Sequence, residues 1–257
     1  MSRHSEDTVL AVLEAAGFKA SKIPRGKTPT ADFRVSDGRH VYLVEATHRS
    51  PAEYERFLQR LDDEGVAHMS RPLTFNNRLD GIVRKKTDQL AATPVECDFQ
   101  IAWLTAEDGD SEHILDTLFR TLYGFARLMG AASCDYDAEY SPYDCFYYDH
   151  FTFFDTPRLN GVAYSTTDSV CLFLNAYAEN AQPFRQSLLV GAFRDRDGLI
   201  DPQEDDAQPG TLFVDREVDR TAKKARWEFL RDKYGLYTTA GSPMSFTGGV
   251  RIPRELA

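Results

Sequence analysis

The chain of 257 residues has the size of one large domain or of two small ones. Its composition, 42% hydrophobic, 12% aromatic and 27% charged, is globular and argues against general disorder. The net charge of −10 disfavours broad, non-specific binding to nucleic acid. Residues 1–86 carry +3 and residues 87–257 carry −13, so a local basic groove would be sought in the first third of the chain.

The cysteines and the hydropathy pattern exclude two further classes. The four cysteines form no CxxC pair, which disfavours a zinc ribbon. No run approaches eighteen apolar residues, so no membrane-spanning helix is expected. The first eighteen residues carry acids where a signal peptide needs basic residues. The sequence therefore predicts a cytoplasmic protein with reduced thiols and no membrane partner.

The first elements are a helix and a hairpin. A helix is predicted over residues 5–16, with Ser5 as its N-cap. Two strands at about 31–36 and 40–47 flank Asp37-Gly38, a dipeptide that favours a two-residue hairpin turn.

The rest of the chain mixes helical and strand-like patterns and contains no internal repeat. Further helices are predicted at about 51–64, 78–91, 111–129, 183–193 and 217–234. Further strands are predicted at about 98–105, 162–165 and 169–175. This order of elements indicates an α/β or α+β fold.

The hairpin brings two carboxylates to one face of the predicted sheet. A two-residue turn pairs Ser36 with Arg39, which sets Asp32 opposite Leu43. Residues two apart on a strand share a face, so Glu45 becomes a diagonal neighbour of Asp32, about 7 Å away. This spacing suits a shared hard cation such as Mg²⁺, which takes oxygen ligands and commonly keeps water and substrate phosphate.

Glu45 stands inside an apolar run, residues 41–46, of the kind found in strands that are buried on both faces. A buried acid is costly unless it is paired or bound to a metal. Two interpretations are open: Glu45 belongs to a functional site, or it meets a nearby cation in a structural ion pair. The candidate cations are Arg49, Lys85 and Lys86.

Polar residues also lie on the apolar stripes of two predicted helices. Lys86 and Gln89 share a stripe with Leu79, Val83 and Leu90. Either both side chains reach the carboxylate site, or Lys86 extends its ammonium to solvent and Gln89 caps a backbone group. Glu6 lies one turn before the stripe of the first helix, where it either joins the site or stabilises the helix dipole.

Together these residues resemble the PD-(D/E)xK nuclease superfamily. The resemblance rests on a helix with a Glu, then GF, a loop, ADF, a Gly-turned hairpin, VEAT and a helix with KKxxQL. It implies one restriction-endonuclease-like α/β domain over residues 1–257, with a mixed central sheet flanked by helices. The motif-bearing core would span about 6–105, and 106–257 would form an elaborated second half.

The resemblance also implies Mg²⁺-dependent (or Mn²⁺-dependent) hydrolysis of phosphodiester bonds in DNA or RNA. Asp32 and Glu45 would hold the metal, Glu6 would assist, and Lys86 and Gln89 would supply the contribution of the helix. The chain departs from the pattern at Thr47, which occupies the position of the motif lysine. A Thr hydroxyl can bind a metal-bound water but carries no charge, so Lys86 would replace the missing lysine.

Two other functions stay open. Members of the superfamily that have lost catalysis are equally similar, which implies a module that binds nucleic acid or a protein partner without turnover. A purely structural protein would neutralise its buried acids with Lys86 and Arg49. An aromatic-rich segment, residues 136–154, either joins the core or contacts a partner, and the basic helix at 217–234 either forms a solvated face or binds phosphate.

Overall fold

The computed structural model describes residues 3–24, 30–49, 59–65, 69–106, 111–133, 137–204, 209–241 and 245–248. The strands are β1 (Lys19–Lys22), β2 (Phe33–Ser36), β3 (Val41–Arg49), β4 (Met69–Pro72), β5 (Phe99–Ala106), β6 (Ala126–Ala131), β7 (Ser141–Phe146), β8 (Gly161–Ser165), β9 (Val170–Leu174), β10 (Leu199–Ile200), β11 (Thr211–Phe213), β12 (Tyr237–Gly241) and β13 (Ser245–Gly248). The helices are α1 (Arg3–Ala15), α2 (Asn77–Ala92), α3 (Ser111–Tyr123), α4 (Thr152–Asp155), α5 (Ala181–Arg185), α6 (Leu188–Arg194) and α7 (Lys223–Tyr234).

The chain divides into two compact units that alternate along the sequence. The first unit comprises Met1–Arg49, Asn77–Asp108 and Thr152–Asp205. The second comprises Ser50–Asn76, Gly109–Phe151 and Asp206–Ala257. Both units draw residues from the second half of the chain. One domain over 1–257 stays a prediction.

The first unit is built on a mixed sheet of seven strands in the order β1-β2-β3-β5-β8-β9-β10. Its first three strands form an antiparallel meander, and β3, β5 and β8 are parallel neighbours. β9 is antiparallel to β8, and β10 is parallel to β9. Helices flank this sheet, which agrees with the predicted α/β class.

The two faces of this sheet pack against different helices. Val9 and Leu13 of α1 join a hydrophobic cluster with Val44 and Ala46 of β3, and α5 and α6 contribute to the same cluster. Because side chains alternate along a strand, Glu45 points to the opposite face, which α2 covers. The candidate site therefore lies between β3 and α2.

The second unit contains a four-stranded sheet in the order β11-β7-β6-β12 and a separate β4–β13 pair. Helices α3 and α7 belong to the same unit, and α7 ends at Gly235 in a left-handed conformation. Much of the aromatic segment 136–154 is buried in the core, including Phe146, Tyr147, Tyr148 and Phe151 of this unit. No helix of the described residues is long and apolar enough to cross a membrane.

Most of the predicted elements are present. The helix at 78–91 and the strands at 98–105, 162–165 and 169–175 are confirmed as α2, β5, β8 and β9. Residues 59–64 of the helix predicted at 51–64 are helical, and 51–58 lie outside the described residues. The first helix begins at Arg3, so Ser5 lies within it and the predicted N-cap is wrong.

The turn between β2 and β3 is longer than predicted. Ser36 pairs with Val41, which leaves a loop of four residues, 37–40, instead of a two-residue turn. The Asp37 carboxylate makes the longer loop favourable, because Oδ1 accepts hydrogen bonds from the amides of Arg39 and His40, each at 2.7 Å. The strand register is therefore shifted by two residues from the predicted pairing.

Three predicted helices have wrong boundaries. α3 ends at Tyr123 because Gly124 adopts a φ of +58°, and β6 occupies part of the helix predicted to reach 129. The helix predicted at 183–193 is two helices, α5 and α6, with Ser187 accepting a hydrogen bond from Val190 N as the cap of the second. α7 begins six residues later than predicted, after a loop held by the Arg220 guanidinium, which donates to the carbonyls of 147, 214, 215, 216 and 218.

Candidate functional site

The candidate site is centred on Glu45, in the middle of the longest strand of the first unit. Residues 42–46 are all buried, and Glu45 itself is only 1% exposed. β3 lies between β2 and β5, and Glu45 is in register with Ala102 of β5. The apolar run therefore forms a fully buried strand, as the sequence predicted, and carries one acid inside it.

Asp32 lies directly opposite Glu45. The pairing of Phe33 with Val44, continued by one residue, brings these two acids face to face, whereas the sequence predicted a diagonal arrangement. The error in register was two residues, and a shift of two keeps each side chain on its own face of the sheet. Asp32 Oδ2 also accepts a hydrogen bond from Ala46 N at 3.0 Å, which fixes the carboxylate against β3.

Lys86 of α2 reaches this pair of acids. Its Nζ lies 2.7 Å from Glu45 Oε1, and Lys86 is only 8% exposed. Among the three cations considered from the sequence, Lys86 is thus the partner of Glu45, while Lys85 is exposed. The side chain of Arg49 lies outside the described residues. Lys86 lies on helix α2, which is stabilised by an ion pair between Asp80 Oδ2 and Arg84 Nε at 2.8 Å.

Two buried oxygens, one on β3 and one on α2, accept no hydrogen bond from any described residue. They are Oε2 of Glu45 and Oε1 of Gln89, which lies one turn beyond Lys86 on α2. A buried acceptor of this kind is costly unless a donor or a cation reaches it. Gln89 is half-buried with its Oε1 shielded from solvent, and its contribution to the carboxylate site stays a prediction.

The electrostatics follow from burial of two like charges. Burial raises the pKa of Glu45 to about 7, while Lys86 opposes the shift and the neighbouring Asp32 charge adds to it. Burial likewise raises the pKa of Asp32, with the Ala46 amide opposing the rise and Glu6 increasing it. Glu45 therefore holds a proton up to near-neutral pH, and ionising both carboxyl groups at once is costly.

Glu6 and Thr47 lie at the margin of the site. Glu6 acts on Asp32 through its charge, and its Oε2 is 3.0 Å from the ammonium of Lys22, which is half exposed. Thr47 is two residues beyond Glu45 and so shares its face of the sheet. The carbonyl of Thr47 accepts a hydrogen bond from Thr105 Oγ1 at 3.4 Å.

Thr93 is a positioning residue that the sequence reasoning missed. Its buried hydroxyl accepts a hydrogen bond from Ala31 N at 2.7 Å and donates one to Gln89 O at 2.9 Å. This link ties the residue before Asp32 to the end of α2, which carries Lys86. No sequence signal could identify it, since Ala31 and Thr93 are 62 residues apart.

The donor set is a small one. Among the described residues, no three His, Cys, Asp or Glu side chains come together as a metal-binding cluster. Asp32 and Glu45 are therefore the two carboxylates that would hold a metal here. Mg²⁺ commonly uses one or two carboxylates and keeps several waters. Comparisons with protein-family models, with curated proteins and with solved structures returned no match to this chain.

Proposed function

We propose that this site binds Mg²⁺ or Mn²⁺ and hydrolyses phosphodiester bonds in DNA or RNA, within a restriction-endonuclease-like domain. The observation that carries the proposal is the directly opposed pair of acids, the partly buried Asp32 and the buried Glu45, with the Lys86 ammonium 2.7 Å from Glu45 Oε1. The proposal extends the PD-(D/E)xK resemblance to a chain that has Thr47 in place of the motif lysine.

The charge balance favours a divalent cation at this position. Once both carboxyl groups are ionised, Asp32, Glu45 and Lys86 carry a net charge of −1 in a largely buried region, where uncompensated charge is costly. Glu45 Oε2 supplies a buried oxygen that accepts no hydrogen bond from the described residues. Hard oxygen ligands and a low ligand number match the preferences of Mg²⁺.

Each side chain has a role that follows from its chemistry. Asp32 and Glu45 would hold the cation, which lowers the pKa of a bound water and stabilises charge on the phosphate. Lys86 orients the Glu45 carboxylate and would donate a hydrogen bond to a phosphate oxygen or to the attacking hydroxide. Gln89 Oε1 and the Thr47 hydroxyl would accept from or donate to the attacking water.

The order of elements supports the same proposal. Helix α1, the antiparallel strands β1 to β3, helix α2 and the parallel strand β5 follow one another in the first 106 residues. A mixed central sheet flanked by helices is the architecture that the resemblance implies. Glu45 and Thr47 lie on β3, Asp32 directly precedes β2, and Lys86 and Gln89 lie on α2, an order that resembles the family pattern.

Nuclease assays on purified variants test the proposal. Single- and double-stranded DNA and RNA are incubated with the wild type in Mg²⁺, in Mn²⁺ and in EDTA. Asp32→Asn and Glu45→Gln should each lower turnover more than about a hundredfold, because these groups act in the transition state. Glu14→Gln, which changes an exposed acid on α1, is the matched control and should retain activity. Full activity in either site variant would refute the proposal.

The second candidate function is a nuclease-like module without turnover that binds nucleic acid or a protein partner. The observation that favours it is the direct Lys86–Glu45 ion pair at 2.7 Å, which neutralises one of the two acids without a metal. The two functions differ in their need for metal. A module of this kind binds its partner equally well in EDTA and shows no cleavage in Mn²⁺.

A further inference from the structure

A pocket in the second unit has an excess of positive charge. Its volume is about 370 Å³, and the cations Arg120, Lys223 and Arg226 line it together with one acid, Asp149. We propose that this pocket binds a nucleotide, that is, a phosphate ester joined to a planar aromatic ring. No residue of the Glu45 site belongs to this unit, so the inference does not depend on the proposed nuclease function.

Arg120 is the strongest indication of an anionic ligand. It is only 9% exposed, and its side chain makes one hydrogen bond within the described residues, a long one from Nη1 to Phe125 O at 3.4 Å. Asp116 and Asp149 act on it only at longer range, and burial lowers its pKa. A guanidinium with five N–H donors is rarely buried without a carboxylate or a phosphate, because the uncompensated charge is costly.

Arg226 and Lys223 extend the positive surface. The Arg226 guanidinium lies 4.4 Å from the centre of the Tyr148 ring and donates to Tyr148 O and to Asp149 Oδ1. Its buried Nε makes no hydrogen bond to any described residue. Lys223 is exposed at the start of α7, where Ala222 provides no side-chain cap for the helix. Three cations and one acid leave an excess of two positive charges, which matches a phosphate monoester.

The remaining lining and the charge of the unit define the ligand class. The rings of Phe75, Phe125 and Tyr148 line the same pocket, Arg120 lying over Phe125 and Arg226 over Tyr148, and aromatic rings are the side chains on which bases stack. The volume is that of a small-molecule site. The unit carries 14 Lys and Arg against 20 Asp and Glu, a net charge of −6 that repels a long polyanion. A free nucleotide is therefore favoured over an internal segment of nucleic acid.

Calorimetry with four probes tests the ligand class on the full-length chain. We expect AMP to bind with a 1:1 stoichiometry and a Kd below about 1 mM, and adenosine and inorganic phosphate each to bind at least about tenfold more weakly. A 5′-phosphorylated tetranucleotide that binds less tightly than AMP assigns the site to free nucleotides. Tighter binding of the tetranucleotide assigns it to the 5′ end of a strand, which has the same chemistry.

Two adjacent lysines provide the matched variants. Lys223→Ala should weaken AMP binding about tenfold, the effect of losing one charge-assisted hydrogen bond. Lys224→Ala makes the same change in charge one residue further on, outside the pocket lining, and should change the Kd less than about twofold. Equal effects of the two variants would show only general attraction and would overturn the proposal.

Arg120→Met separates a binding role from a structural one. If Arg120 serves a ligand, its removal weakens AMP binding at least about tenfold and leaves the urea midpoint unchanged or higher, because a buried charge is lost. Unchanged AMP binding together with a lower midpoint would make Arg120 a support for the Phe125 carbonyl. That result, or an absence of any AMP binding at millimolar concentration, overturns the proposal.

Discussion

Replacement of Glu45 by glutamine should remove a pH dependence of stability that the wild type shows. Burial raises the pKa of Glu45 from 4.5 to about 7, so between these values the folded state binds more protons than the unfolded state. The free energy of unfolding therefore falls as the pH rises. The contribution of Glu45 is fully present below pH 4.5 and is lost as the pH passes through about 7. Glutamine has nearly the same shape and does not titrate.

The size of this effect follows from the shift. A pKa change from 4.5 to about 7 corresponds to about 3 kcal/mol of linked free energy. Solvent screening and the coupling to Asp32 and Lys86 reduce the expected loss to about 1–2 kcal/mol between pH 4.5 and pH 8. If the site binds Mg²⁺, the metal opposes this loss: a free concentration one hundred times the Kd stabilises the folded state by about 2.7 kcal/mol.

Urea unfolding followed by circular dichroism measures both effects. The wild type, Glu45→Gln and the control Glu14→Gln are unfolded at pH 5 and pH 8, each with Mg²⁺ and with EDTA. In EDTA, we expect the wild type and the control to be less stable at pH 8 than at pH 5, and Mg²⁺ should restore their stability at pH 8. The stability of Glu45→Gln should change little with pH or with Mg²⁺. The reasoning would be refuted if the stability of the wild type and of Glu45→Gln depended on pH in the same way. It would also be refuted if Mg²⁺ stabilised Glu45→Gln as much as the wild type.

Three more predictions concern the contacts around the two candidate sites. Lys86→Met should destabilise the fold by about 3–5 kcal/mol at pH 8 and by less at pH 5, where Glu45 is protonated; Lys85→Met, its exposed neighbour, should change the urea midpoint little. Thr93→Val should cost about 1–3 kcal/mol in chemical unfolding, since the Ala31 amide loses its acceptor, and should also weaken Mn²⁺ binding measured by EPR. Gly124→Ala should lower the free energy of unfolding by about 2–4 kcal/mol and so lower the thermal midpoint, because the φ of +58° and the nearby Asp149 carbonyl oxygen leave no space for a Cβ atom; an unchanged midpoint would contradict this.

The first candidate site could be predicted in outline because its signals are local. An acid inside the apolar run 41–46 and a lysine on the apolar stripe of α2 are each visible in a few residues of sequence. The face shared by Asp32 and Glu45 was also predictable, because an even register error leaves side-chain facing unchanged. The register itself was not predictable, since the Asp37 carboxylate bonds two amides of the loop and thereby selects four loop residues over two.

The pocket of the second unit could not be predicted, because its residues are distant in sequence. Arg120 and Lys223 are more than one hundred residues apart, and α3, which carries Arg120, was predicted to continue to 129. A helix that continued to 129 would include Phe125 and Ala126, which line the pocket, and would leave no strand β6. The same limit applies to Thr93, whose contact with Ala31 arises only when α2 packs against β3.

The two proposals rest on the same physical argument, applied to an excess of negative charge at one site and of positive charge at the other. Uncompensated buried charge lowers stability, so a chain that retains it is expected to use it for a ligand. At Glu45 the excess is negative and the complementary ligand is a divalent cation. At Arg120 the excess is positive and the complementary ligand is a phosphate ester. The tests are separable, since Glu45→Gln should leave AMP binding unchanged and Lys223→Ala should leave Mn²⁺ binding unchanged. Loss of both activities in either variant would indicate general unfolding and would contradict the assignment of two sites.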